Sequence, residues 1–247
     1  MSVQLPHPDW IVPDWPAPEG VKAIITTRAG GTSVGPFASL NLGLRAGDDP
    51  QAVAANRTRL NALLPQPPRW LRQVHGPLVA EVDTLSGEPE ADAAIARQPG
   101  TVCAVLVADC IPVLLADRAG ATVGIAHAGW RGLARGVIEN TVRAMTGAGR
   151  DLIAYLGPGI GPAAFEVGNE VRDAFLERDA GTAAAFKPHA EGKWLADLFL
   201  LARQCLQRAG VREIHGGGLC TYSDTRRFFS YRRERTTGRM AALIWRN

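Results

Sequence analysis

Three apolar runs rich in β-branched residues follow one another in the middle of the chain: Thr101–Ala108, Ile111–Ala116 and Thr122–Ala126. Only Asp109-Cys110 and the turn-forming Arg118-Ala-Gly120 separate them. A strand with one wet face alternates apolar and polar residues. Runs this continuous require a sheet covered on both faces. Around them the pattern predicts a strand at Val21–Thr27, a helix opening at Pro50, and two short strands at Arg69–Val74 and Leu78–Val82. Further on it predicts a helix over Arg131–Met145, a strand at Leu152–Leu156, and helices at Glu170–Arg178 and Trp194–Ala209. Closing strands are predicted at Phe228–Tyr231 and Met240–Trp245. This mixed order argues for an α/β or α+β protein with mixed β-sheets flanked by helices. No repeat or linker interrupts it, so one domain over residues 1–247 is expected, with 1–14 as a loose, proline-rich start.

Composition narrows the function classes. With 46% hydrophobic residues the chain can build a sizeable core, and a net charge of +3 is too mild for a nucleic-acid-binding surface. The first twenty residues have neither a basic nor an apolar signal segment, and no apolar run approaches a membrane span. The four cysteines form no CxxC pair. The expectation is a soluble, cytoplasmic protein with free thiols and no membrane partner.

Two histidines and one cysteine stand where chemistry is commonly placed. His75 lies in Gln73-Val-His-Gly76, Cys110 interrupts the apolar stretch as Ala108-Asp-Cys-Ile-Pro112, and His127 ends a buried run before Ala128-Gly-Trp-Arg-Gly132. Strand ends of this kind expose side chains at the rim of a sheet. Two imidazoles and a thiolate suit zinc and leave a fourth position open, the mark of a catalytic site. Copper takes such ligands as well. Asp109, beside the cysteine, is placed to orient a ligand or move protons. Spacing alone leaves the alternative open that Cys110 is a buried inert thiol and the histidines structural. His7, His189 (in the polar stretch 187–191) and His215 read as structural or solvent-facing.

Anion-binding candidates are Arg28, beside the Gly30-Gly31 turn, and Arg131, at the predicted start of a helix where a cation is disfavoured. Arg226, Arg227, Arg232, Arg233, Arg235 and Arg239 form a basic segment that is either solvated or partly turned toward an anionic substrate.

Taken together these segments resemble the laccase-like, YfiH-type family, whose members are described as multicopper polyphenol oxidases, purine nucleoside phosphorylases and peptidoglycan editing factors. The matching pieces are Thr27–Ser33, Ser39–Gly43 with Gly47-Asp48, Gln73–Gly76, Ala108–Pro112 and His127–Gly132. They continue with Gly157–Gly161, Phe165–Gly168, Phe228–Arg233 and Thr237–Met240. The resemblance implies a zinc site formed by His75, Cys110 and His127 in a layered fold. It also implies a purine nucleoside pocket, with Arg28 and Asn41 in motifs that contact phosphate or ribose. Three activities follow as expectations. The leading one is phosphorolysis of adenosine, inosine or methylthioadenosine together with adenosine deamination. The second is a peptidoglycan-precursor amidase with Cys110 as nucleophile. The third is a copper-dependent polyphenol oxidase, which five histidines in all serve poorly.

Overall fold

In the computed structural model, which describes residues 7–146 and 149–247, the first half of the chain forms β1 (Val21–Ile25), α1 (Pro50–Asn61), β2 (Val79–Glu81), β3 (Ala93–Ala96), β4 (Cys103–Val107), β5 (Ile111–Asp117) and β6 (Val123–Ala128). The second half forms α2 (Trp130–Ala134), α3 (Val137–Thr146), β7 (Leu152–Leu156), β8 (Glu166–Gly168), α4 (Asn169–Leu176), β9 (Phe186–Ala190), β10 (Lys193–Ala196), α5 (Leu198–Arg208), β11 (Glu213–Gly216) and β12 (Met240–Arg246). Six strands make the main sheet in the order β11-β7-β5-β6-β3-β2, and three more make a second sheet, β1-β12-β4. The outer pairs β11–β7 and β2–β3 are parallel and the inner pairs antiparallel, so the sheet is mixed. A small antiparallel sheet, β8-β10-β9, completes the set.

β5 shows why the central runs are apolar on both sides. Val113 and Leu115 pack toward the helices, with Leu133, Val137, Val142, Leu201 and Leu206. Leu114 and Ala116 point the other way, against Val105, Ala242 and Ile244 of the second sheet. The outer face of that sheet is covered in turn by Leu60 of α1, with Trp10, Leu40 and Leu42. Layers of helix, sheet, sheet and helix result, as the apolar runs required. Among the described residues no helix is long and apolar enough to cross a membrane.

Several local expectations are corrected. Arg69–Val74 is not a strand: it makes only isolated bridges at Arg69 and Arg72. Its edge is supplied instead by the Gln73 side chain, which donates to the Leu106 carbonyl at 2.9 Å and accepts from its N–H at 2.8 Å. The helix over 131–145 is broken into α2 and α3, because Gly136 takes φ 87°, a left-handed helix end. Trp194 lies in β10, and α5 begins only after Asp197, whose carboxylate caps it by accepting from the Leu200 N–H at 2.9 Å. His189 sits in β9 rather than a loop, and Phe228–Tyr231 is irregular rather than a strand, with both phenylalanines buried. Residues 7–14 are tied down rather than loose: Trp10 is buried, its indole donates to the Ala29 carbonyl at 3.0 Å, and Ile11 bridges Ile25. Residues 1–6 of that segment lie outside the described residues.

Candidate metal centre

His127 is the next-to-last residue of β6, opposite Pro112 of β5, so its side chain emerges at the sheet rim beside the β4–β5 corner. Cys110 occupies that corner, turned by Asp109 at φ 93°. Both oxygens of Asp109 are engaged, by the Thr221 hydroxyl and the Arg232 N–H, each at 2.7 Å. Its carboxylate thus braces the corner that aims Cys110. His75 comes from the loop after Gln73, also at positive φ, 59°.

One residue that the sequence reading passed over joins these pieces. Asp92 is fully buried just before β3 and accepts four hydrogen bonds on its side chain. Three come from the N–H groups of Val74, His75 and Gly76, at 3.0, 2.9 and 2.7 Å. The fourth comes from His127 Nδ1 at 2.8 Å. A carboxylate that only accepts holds the His127 proton on Nδ1 and leaves the Nε2 lone pair free to bind. The available signal was a carboxylate opening the all-apolar stretch Ala93–Ala96.

The ligand atoms of His75, Cys110 and His127 lie within 4.8 Å of one another, and the two imidazole rings stand nearly edge to face at 4.9 Å. Burial pushes the Cys110 thiol up, but His127 and His75 beside it outweigh that and hold it well below the ordinary thiol range. Burial likewise opposes the His127 imidazolium, while the Cys110 thiolate and Asp92 raise its pKa. For Asp92 itself, desolvation is outweighed by its hydrogen bonds, and the carboxyl sits below its usual range. Gly129 leaves room for the sulfur: a Cβ there would stand 2.7 Å from Cys110 Sγ. A thiolate and two imidazoles, one backed by a carboxylate, are a donor set that fits a metal ion with an open position.

The three residues line a cleft of about 960 Å³. Six arginines, Arg45, Arg57, Arg131, Arg232, Arg235 and Arg239, share it with the carboxylates of Glu88, Asp109 and Glu166, so its walls are net positive. Aromatic rings carry several of these cations: Arg57 on Trp70, Arg131 on Trp130, and Arg235 on Tyr231, at 4.4, 4.4 and 5.3 Å. Flat rings beside cations suit a planar base and an anion.

Arg28 and Asn41 do not line this cleft. Arg28 donates to the carbonyls of Ala38 and Thr225 and stacks on Phe229, so its guanidinium is committed within the fold. Asn41 is fully buried, with its side chain bonded to Gly43, Asp48 and the Arg239 N–H. The C-terminal basic segment divides. Arg226 pairs with Asp9, Arg227 with Asp224, and Arg233 binds carbonyls, whereas Arg232, Arg235 and Arg239 reach the cleft. His215 pairs with Glu213 on β11, away from the cleft.

Residues 22–247 match the family described as multi-copper polyphenol oxidoreductase laccase. A purine nucleoside phosphorylase of Pseudomonas aeruginosa is 53% identical over 96% of this chain and 98% of its own length. Purine nucleoside phosphorylase YfiH of Escherichia coli is 54% identical over 95% of this chain and 98% of its own. Among solved structures, a Neisseria meningitidis protein superposes with a TM-score of 0.94 at 48% identity, covering 97% of this chain and 99% of that one. YlmD from Geobacillus stearothermophilus follows with a TM-score of 0.83 at 35% identity, covering 93% of each chain. The chain therefore belongs to the laccase-like, YfiH-type family.

Proposed function

We propose that this protein is a zinc-dependent purine nucleoside enzyme of the cytoplasm. It would phosphorolyse adenosine, inosine or methylthioadenosine and deaminate adenosine. One observation carries the reading: the His75–Cys110–His127 set, braced by Asp92, opens into a cleft with both aromatic and cationic walls. The naming of both bacterial relatives as purine nucleoside phosphorylases supports it. The four free cysteines suit a reducing compartment.

The donor set favours zinc, whose chemistry at an open position is Lewis-acid polarisation and acidification of water. Cys110, His75 and His127 hold the ion, and Asp92 keeps His127 in its binding tautomer. Trp130, Phe165 and Tyr231 supply faces for the purine, and the arginines, Arg131 among them, hold anionic groups. In phosphorolysis the N-glycosidic bond breaks, a phosphate oxygen bonds to C1′, and the purine nitrogen ends protonated. In deamination the oxygen of water replaces the amine at C6, and ammonia leaves. The test is to incubate zinc-replete protein with adenosine, with and without phosphate, and identify the products. Adenine and ribose 1-phosphate that form only with phosphate are expected, with inosine and ammonia in either case. Unchanged adenosine in both would refute the reading.

A second reading has an observation of its own. Cys110, His127 and Asp92 stand in the order nucleophile, base and orienting carboxylate, which serves an amidase acting on peptidoglycan precursors. A thiolate held by zinc is a poor free nucleophile, so metal content separates the two. The copper oxidase reading ranks third, because a single Cys/His2 set among the described residues does not build a multinuclear cluster.

A further inference from the structure

Arg239 is a half-buried arginine of the cleft with no ion pair among the described residues. Its Nη1 donates to the carbonyls of Thr237 and Gly238, at 2.9 and 3.0 Å, and no hydrogen bond from Nε or Nη2 to a described residue is seen. Burial draws its pKa down, Asp109, Cys110 and Tyr231 act on it in the opposite direction, and all three line the same cleft as Arg239. With Nε and Nη2 uncommitted on the wall of the cleft, an anionic ligand would gain charge-assisted hydrogen bonds there. The other cleft guanidiniums are either engaged elsewhere or, as with Arg131 and Arg235, exposed. Arg45 pairs with Glu88, Arg57 donates to the Leu42 carbonyl, and Arg232 to that of Glu166.

The surrounding structure is shaped to hold Arg239 in place. Asn41 Oδ1 accepts from the Arg239 N–H at 2.9 Å and from the Gly43 N–H at 3.0 Å. Gly43 lies flat against the arginine stem, and a Cβ there would stand 2.8 Å from Arg239 Cγ. Two segments distant in sequence, 39–43 and 237–240, thus converge on one guanidinium. Beyond it, Tyr231 carries both Arg239 and Arg235, at 5.7 and 5.3 Å from the ring centre.

We propose that Arg239, flanked by Arg235 and positioned by Asn41 and Gly43, is the oxyanion-binding residue of the cleft and takes a phosphate group beside the His75–Cys110–His127 centre. This deepens the phosphorolysis reading and rests on it for the choice of phosphate. The subsite itself is testable without turnover. The group can arrive as inorganic phosphate or on the 5′ carbon of a nucleotide.

The experiment is calorimetric titration of zinc-loaded protein with inorganic phosphate, and separately with adenosine and adenosine 5′-monophosphate. Wild type, Arg239→Gln, Arg239→Lys and Arg28→Gln are compared at equal zinc content. Loss of charge-assisted hydrogen bonds predicts phosphate binding weaker by about ten- to a hundredfold in Arg239→Gln. Arg239→Lys should fall between, and Arg28→Gln should bind as wild type. If adenosine monophosphate alone shows the Arg239-dependent gain over adenosine, the subsite stands with the nucleotide as its source. Should Arg239→Gln fail to keep its zinc and native circular dichroism, Gly43→Ala replaces it, since that change crowds the arginine without removing it. Phosphate and nucleotide affinities unchanged in a folded, zinc-loaded variant would overturn the proposal. Arg239-dependent phosphate binding in a protein that turns over no nucleoside would instead keep the subsite and remove the phosphorolysis reading.

Discussion

Asp92 accepts from His127 Nδ1 at 2.8 Å, and its backbone carbonyl accepts from the His127 N–H at 2.7 Å. Because the same carboxylate receives the N–H groups of 74–76, it sets the ring of one candidate ligand and the loop of another. Asp92→Asn keeps the volume but turns one accepting oxygen into a donor, so these contacts cannot all be made. Zinc affinity should fall by about ten- to a hundredfold. Competition with a chromophoric chelator measures this, and Asp92→Ala should show no recovery.

Gly129 gives a steric prediction. Its missing Cβ would stand 2.7 Å from Cys110 Sγ and 3.3 Å from His75 Cδ2, so Gly129→Ala should displace two ligands at once. Zinc content after dialysis should drop well below that of wild type. Gly132→Ala, whose nearest contacts would be an ordinary 3.4 Å, should retain the metal.

The lowered thiol pKa of Cys110 predicts a pH profile. A depressed value means that the thiolate of the metal-free protein persists below the usual range of about 8.5 and is lost only as pH falls through the lowered value. Alkylation of metal-free protein should therefore stay fast at neutral pH. Zinc should slow it, and acid should reverse that protection as protons compete for the ligands. Cys103 and Cys205 are buried with thiols pushed up, so they stay silent, and Cys220→Ser removes the remaining signal. Fast labelling of fully zinc-loaded protein would favour the nucleophile reading.

Arg28→Ala should act on stability rather than on phosphate. Its two carbonyl contacts and its stacking on Phe229 join three distant segments, and losing them should cost about 1–3 kcal/mol. Thermal unfolding should shift down, while the KM for phosphate stays that of wild type.

Much of this was legible in the sequence. The central strands were, because both faces of β5 are buried and every residue reports it. Cys110 and His127 were, because each interrupts or closes an apolar run beside a strand end, whereas His75 joins them from a loop, after a segment that the pattern reads as a strand. Asp92 was not: its partner is 35 residues away, and a lone acid before alanines has no periodic signature. Arg28 and Arg239 could not be ranked: each donates to two carbonyls and only Arg239 lines the cleft, a difference set by contacts with residues such as Thr225, 197 positions from Arg28. Trp194 was assigned to a helix because an apolar start is shared by β10 and α5, and only the Asp197 cap divides them.

The most direct test of the whole account is phosphate-dependent release of adenine from adenosine. It is followed in one preparation before chelation, after removal of the metal, and after one equivalent of zinc is restored. The account predicts that activity is lost with the metal and returns with zinc in wild type, but not in Cys110→Ala. Undiminished release by metal-stripped protein would contradict it.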